Sequence, residues 1–139
     1  MPAPKSALIP SYRSIYRHGL FEGKLVIVTG GGSGIGRCTA HELASLGVAL
    51  IGRTREKLDG VCSEIAQAGG RASAHVCDIR EEDAVQCAVA EVLAAHGSID
   101  GLVNNAGGQF PAPLASISAK SWDMVVRNNL TGGFLMARP

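Results

Sequence analysis

"LVIVTGGGSGIG", residues 25–36, decides the fold of this 139-residue chain. A run of aliphatic and β-branched residues ends at Thr29, and five glycines then fall within the seven positions from Gly30 to Gly36. Glycine has no Cβ, so the backbone there can take φ > 0 and approach another group closely. Between a buried strand and a helix, such a turn points N–H groups and the positive end of the helix dipole at an anion, above all phosphate. The stretch predicts a strand–turn–helix unit with a phosphate seat. It specifies binding and leaves the reaction open.

Strand and helix signals alternate outward from this turn. "KLVIVTG" (24–30) suits a strand buried on both faces. Ile35, Cys38, Leu43 and Leu46 recur at helical spacing, with Gly47 placed to cap. "VALIG" (48–52) reads as a second strand, and Leu58, Val61, Cys62 and Ile65 line one face of a helix ending near Gly69 and Gly70. "ASAHVCD" (72–78) is a third strand. Ala84, Val85, Ala88, Val89, Val92 and Leu93 mark a helix closed by Gly97, "IDGLVNNAG" (99–107) holds a fourth strand with its loop, and a last helix covers Lys120 to Leu135. Short connections between strand–helix repeats require crossover helices, hence a parallel sheet. Right-handed crossovers make it an α/β doubly wound parallel sheet, truncated after the fourth strand and the following helix. Ligands of such sheets bind beyond the carboxyl ends of the strands, where the loops after Thr29, Gly52, Cys77 and Val103 lie.

Composition narrows the class. A net charge of +1 gives no reason to expect nucleic acid, and 46% hydrophobic against 18% charged residues indicates one soluble globular domain. No apolar run reaches the length needed to span a membrane, so a cytoplasmic protein without a membrane partner is expected. Cys38, Cys62, Cys77 and Cys87 fit no metal-ligand spacing and read as reduced structural thiols, with no metal expected. Residues 1–22 form an N-terminal arm, and 23–139 the partial nucleotide-binding domain. The arm carries Lys5, Arg13 and Arg17 with no acid before Glu22 and no continuous apolar core. That argues against a secretory leader and leaves two readings, an arm that packs on the sheet or frays, and a transit peptide.

Neighbouring nucleotide motifs do not fit the glycines. A P-loop needs Lys and Ser or Thr where residues 31–38, GGSGIGRC, place Arg37 and Cys38. No register of residues 30–39 satisfies GxGxxG. What fits is TGxxxGIG, with Thr29, Gly30, Gly34, Ile35 and Gly36, followed in order by "CDI" (77–79), "NNAG" (104–107) and "WDMVVRNNLTGGF" (122–134).

With these four motifs the chain resembles the short-chain dehydrogenase/reductase family over residues 24 to about 137. The resemblance implies a Rossmann-type fold and an NAD(P)-dependent oxidoreductase. It implies that Gly30, Gly34 and Gly36, with Thr29 and Ser33 on the same turn, shape the seat of the cofactor pyrophosphate, with Ile35 beneath it. Asp78 matches the acid that hydrogen-bonds the adenine, although a lone Asp there also suits a helix N-cap before "REED". Asn104, Ala106 and Gly107 match the motif that steadies the central strand and lines the cofactor ribose. Asn129, rather than its neighbour Asn128, matches the catalytic asparagine that holds a water in the proton relay. As a bare residue it reads as a helix-interior amide bonded to backbone.

Charge argues the cofactor choice. The acid that reads ribose hydroxyls after the second strand is replaced by Gly52, and Arg53 follows, with Arg55 close by. Guanidinium suits a 2′-phosphate, so NADP(H) is favoured over NAD(H). Gly47 to Arg53 is two residues shorter than the family's usual segment, which predicts a shifted or strained second strand.

The family's YxxxK pair is missing. The only tyrosines, Tyr12 and Tyr16, precede the first strand, and neither has Lys four residues on. The 139 residues therefore read as the cofactor-binding part of a reductase and as inactive alone. "NNAGGQFPAP" (104–113) resembles the enoyl-CoA and 2,4-dienoyl-CoA reductase branch, which would place Gln109 and Phe110 near an acyl-CoA in fatty acid metabolism. A 3-oxoacyl or alcohol reductase loop is the alternative, as is a non-catalytic nucleotide-binding or dimerising module. The resemblance implies a homo-oligomer for the full-length protein, acting on a small molecule or acyl-CoA.

Overall fold

The computed structural model describes residues 15–17, 19–44 and 47–139. Lys5 and Arg13 of the N-terminal arm, and Leu46 of the first predicted helix, lie outside them. Four strands, β1 (Val26–Thr29), β2 (Val48–Gly52), β3 (Ala72–Val76) and β4 (Gly101–Val103), form one parallel sheet in the order β3-β2-β1-β4. Between them run α1 (Gly34–Leu43), α2 (Arg55–Gln67) and α3 (Glu82–His96). The chain then passes through a short 3₁₀ turn, Leu114–Ser116, into α4 (Ala119–Val126), a π turn (Arg127–Thr131) and α5 (Gly132–Ala137), where the sequence predicts one helix.

Alternation along the strands sorts the core into two layers. Val28, Val48 and Leu50 pack with Ala40, Leu58, Val61 and Ile65 under α1 and α2. Ile27, Ala49 and Ile51 pack on the other face with Val85, Val89 and Val92 of α3 and with Leu135 and Met136 of α5. Helices therefore cover both faces, as winding outward from β1 in both directions requires. The shortened segment leaves no shift: β2 pairs in register along its length, from Val26↔Val48 to Thr29↔Ile51 on one side and from Val48↔Ala72 to Gly52↔Val76 on the other.

The two ends of β1 are tied to β4. At the start, the Asp100 carboxylate accepts from the Leu25 N–H (2.9 Å) and pairs with Lys24 Nζ (3.0 Å). At the end, the Thr29 hydroxyl is fully buried. Its Oγ1 accepts from the N–H groups of Asn105 (3.0 Å) and Ala106 (2.9 Å) and donates to the Val103 carbonyl (3.3 Å). The Asn105 amide in turn donates to the Thr29 carbonyl (3.0 Å).

Thr29→Val keeps the shape and removes the acceptor, leaving the Ala106 N–H unpaired while the Asn105 N–H keeps the Val103 carbonyl (3.0 Å). Urea unfolding should show a loss of about 1–3 kcal/mol. Thr29→Ser, which keeps the hydroxyl, should lose clearly less.

Candidate active site: the dinucleotide cleft

A cavity of about 290 Å³ opens at the carboxyl end of the sheet, where the strand order reverses between β1 and β4. Four loops wall it. The first turn contributes Gly30, Gly32 and Ser33; the end of β2 and start of α2 contribute Gly52, Arg53, Thr54 and Lys57. Cys77, Asp78 and Ile79 follow β3, and Asn105, Ala106 and Gly107 follow β4, with Asn128 reaching in from the π turn.

The glycines have separate duties. Gly30 (φ +67°) turns the chain out of the strand, and a Cβ there would lie 2.9 Å from the Asn105 amide nitrogen and 3.1 Å from Ala106. Gly36 sits on α1 directly under that turn, where a Cβ would overlap the Gly30 carbonyl. These contacts press the helix start against the strand end, so the N-terminus of α1 faces the cleft. Gly34 also has φ > 0 (+54°), but open space surrounds its Cβ position.

Of the residues singled out from sequence, Gly30, Ser33, Arg53, Asp78, Ala106 and Gly107 line the cavity, and Thr29 lies beneath it. Gly34, Gly36, Asn104, Asn129, Gln109 and Phe110 do not. Ile35 is 79% exposed on α1 and also outside the lining. Asn104 donates to the Gly133 carbonyl (3.0 Å), which fastens α5 to the end of β4. Arg55 donates to the Ala74 carbonyl and pairs with Asp59, away from the cleft.

Asn129 is bound to backbone. Its amide nitrogen donates to the carbonyls of Gly108 (2.5 Å) and Val125 (2.8 Å), and its Oδ1 accepts from the Gly108 N–H (3.2 Å). The π turn follows from this grip. The side chain takes the Val125 carbonyl four residues back, and the Gly132 N–H bonds Arg127, five back. A Cβ at Gly107 would lie 2.5 Å from Asn129 Oδ1, so a larger residue there would push the Asn129 amide off Gly108.

Asp78 does not cap α3; Glu81 occupies the N-cap position. Its carboxylate is instead clamped by Arg80, through Nε to Oδ1 (2.8 Å), Nη2 to Oδ2 (2.5 Å) and the Arg80 N–H to Oδ1 (3.1 Å). The Arg80 side-chain bonds hold its pKa down at about 2, with smaller help from the charge of Arg53. Cys77, beside it, is buried, and burial pushes its thiol up to about 11. All four cysteines are free, and among the described residues no group of three or more His, Cys, Asp or Glu is placed to hold a metal.

Sequence reasoning missed Lys57, Arg80, Asn105 and Asn128. Arg53 precedes the Thr54 N-cap of α2 and Lys57 lies in the first turn of that helix, and both line the cleft. Asn105 left no sequence signal, because only the structure tells which of the two adjacent asparagines meets the glycine turn.

Residues 24–139 match the short chain dehydrogenase family. The chain belongs to the short-chain dehydrogenase/reductase family. It is 43% identical over 116 residues to 2,5-dichloro-2,5-cyclohexadiene-1,4-diol dehydrogenase of Sphingobium indicum, covering 81% of this chain and 45% of that protein. A probable 2,4-dienoyl-CoA reductase of Bacillus subtilis is 34% identical over 119 residues, with 84% and 47% covered. Among solved structures, a citronellol catabolism dehydrogenase of Pseudomonas aeruginosa is 60% identical with a TM-score of 0.87, covering 91% of this chain and 53% of that one. A metagenomic short-chain oxidoreductase in complex with NADP (42% identity, TM-score 0.80, 85% and 55% covered) and an NAD⁺-bound xylitol dehydrogenase (34%, 0.81, 86% and 47%) share the fold. The chain spans about half the length of these relatives. Family members bind NAD(P), and no helix among the described residues is long and apolar enough to cross a membrane.

The depressed pKa of Asp78 fixes a sign. Its folded value lies below the unfolded value of about 4, so its contribution is complete above pH 4 and fades as pH falls toward 2. That contribution is about 1–2 kcal/mol after screening at a partly open site. In Arg80→Met the carboxyl should titrate near pH 4 by carbon-detected NMR, and acid unfolding should begin at higher pH.

Proposed function

We propose that this chain is the cofactor-binding part of an NADP(H)-dependent reductase, with NADP(H) seated in the cleft. The observation that carries the reading is the pairing of Arg53 and Lys57 on one wall, beside Gly52 where an acid would exclude phosphate. Solved relatives hold either cofactor, so the preference rests on these side chains. Two cations with no acid opposing them on β2 favour a 2′-phosphate over free hydroxyls.

The cleft fits a dinucleotide chemically. The N-terminus of α1 and Ser33 supply donors for pyrophosphate, and Gly30 and Gly32 let it approach the backbone. Gly34 keeps the backbone open on that turn, and Gly36 lets the helix close on it. Ala106 and Gly107 leave a smooth wall for a ribose. When bound, the cofactor supplies hydride chemistry. Arg80 keeps Asp78 ionised, an acceptor for an exocyclic amine such as that of adenine. Asn129, as the family resemblance implies, would hold a water of the proton relay; here its grip on Gly108 sets the position of the loop that leads to the substrate.

For substrate we infer an enoyl-CoA or related carbonyl compound, with Gln109 and exposed Phe110 beyond Gly108 as its contacts. The dienoyl-CoA reductase relative supports that class, and the diol dehydrogenase relative supports a 3-oxoacyl or alcohol substrate instead. The whole protein would act in the cytoplasm as a homo-oligomer on such a small molecule or acyl-CoA. Tyr16 packs edge-on against Phe21 in the N-terminal segment and does not line the cleft, and no other described residue is a tyrosine.

Arg53→Ala should weaken NADPH binding about ten- to hundredfold and NADH binding by less than threefold, as measured by fluorescence titration. Lys57→Ala should shift the two cofactors in the same sense by a smaller factor. Equal losses for both would overturn the NADP(H) assignment. Separately, the purified 139-residue chain given NADPH with crotonyl-CoA or a simple ketone should bind cofactor and oxidise none, since the proton donor is missing. Steady turnover would show that the catalytic acid lies among these residues.

A further inference from the structure

Edge strand β3 carries a second polar constellation, on the face that packs against α3 and away from the cleft. Ser73 and His75 alternate onto that face. The Ser73 hydroxyl lies 2.9 Å from Nε2 of His75 and 3.1 Å from Nε2 of His96, the last residue of α3. Nδ1 of His75 lies 3.2 Å from the carboxylate of Glu91, which precedes His96 by five residues on that helix.

The chemistry of the partners fixes the direction of these bonds. An ionised carboxylate only accepts, so Nδ1 of His75 carries a proton, and in the neutral imidazole Nε2 keeps its lone pair. Nε2 then accepts the Ser73 O–H. The Ser73 oxygen is left to accept, and His96 donates to it. All three bonds run toward Glu91, which makes Ser73 the nucleophile of a Ser–His–Glu relay recognised by geometry and roles. His75 is buried, Ser73 is half-buried and His96 is exposed, so the base is shielded while the hydroxyl stays reachable.

We propose that Ser73, His75 and Glu91, with His96 as the oxyanion donor, form an acyl-transfer site for short acyl esters, independent of the dinucleotide cleft. Ser73 Oγ attacks the ester carbonyl carbon, forming a C–O bond, while its proton passes to Nε2 of His75. The imidazolium is held by Glu91. Nε2–H of His96, adjacent to the attacking oxygen, turns to the negative carbonyl oxygen of the tetrahedral species. The bond to the leaving alcohol breaks and His75 returns the proton to that oxygen. Water then repeats the sequence on the acyl-serine, releasing the carboxylic acid and restoring the site. His96 also lines a cavity of about 370 Å³ with Lys24, Arg71, Ala72 and Ser98; Ser73 is not among its lining residues.

The test uses the purified 139-residue chain with p-nitrophenyl acetate as ester and a fluorophosphonate as covalent probe. Expected are steady release of p-nitrophenol and a single labelled peptide containing phosphonylated Ser73. Ser73→Ala, a one-atom deletion, should abolish the label and bring hydrolysis to the background of free imidazole. His75→Gln should slow hydrolysis roughly 10²–10⁴-fold and Glu91→Gln roughly tenfold or more, with far-UV circular dichroism unchanged. Hydrolysis by Ser73→Ala at the wild-type rate, or a label mapping elsewhere, would overturn the proposal whatever the outcome at the cofactor cleft.

Discussion

A buried hydroxyl governs the carboxyl end of the sheet. Thr29 ends β1 at a point where the chain must turn outward and where the loop from β4 must arrive beside it. One oxygen settles both demands by accepting two backbone N–H groups of that loop and donating to Val103. Asn105 then closes the arrangement from the other direction through the Thr29 carbonyl. With the two loops held this close, Cβ atoms at Gly30 and Gly36 have nowhere to go. The bareness of the first turn is therefore a result of how tightly β1 and β4 are joined, as well as a means of admitting phosphate.

Charge in the cleft is arranged with similar economy. The Asp78 carboxylate sits between cations but is satisfied locally by Arg80, two residues away in the chain. Arg53 and Lys57 line the cavity on the wall formed by the end of β2 and the start of α2. Arg55, two residues from either, is spent on the Ala74 carbonyl and Asp59. Three basic residues near the start of α2 thus have two different employments: Arg53, ahead of the Thr54 N-cap, and Lys57 line the cleft, while Arg55 turns to β3 and Asp59.

The architecture was legible because its signals are periodic. The apolar runs of β1 and β2 and the heptad-like spacings of α2 and α3 fix strands and helices without reference to anything distant, and the glycine turn fixes where they meet. The site was legible only where a motif names its residues. Lys57 escaped because its role needs the Thr54 N-cap to set the helix phase, and Arg80 because a salt bridge two residues long looks like ordinary surface charge. Between Asn104 and Asn105 the sequence offers no asymmetry; the difference appears when one meets α5 and the other meets the glycine turn. Gly34 and Ile35 belong to the motif, yet neither lines the cavity, so a motif position can serve the backbone alone.

The π turn at Arg127–Thr131 has an effect beyond the loop it anchors. An α-helix advances about 100° per residue, so Trp122 and Phe134, twelve apart, would stand roughly 120° away from each other on a regular helix. A single π turn absorbs one residue without advancing the phase. The pair then behaves as if eleven apart, and the separation falls to roughly 20°. Both rings are indeed exposed, 59% and 57%. The amide of Asn129 thereby aligns two exposed aromatic side chains, about three turns apart, into one stripe.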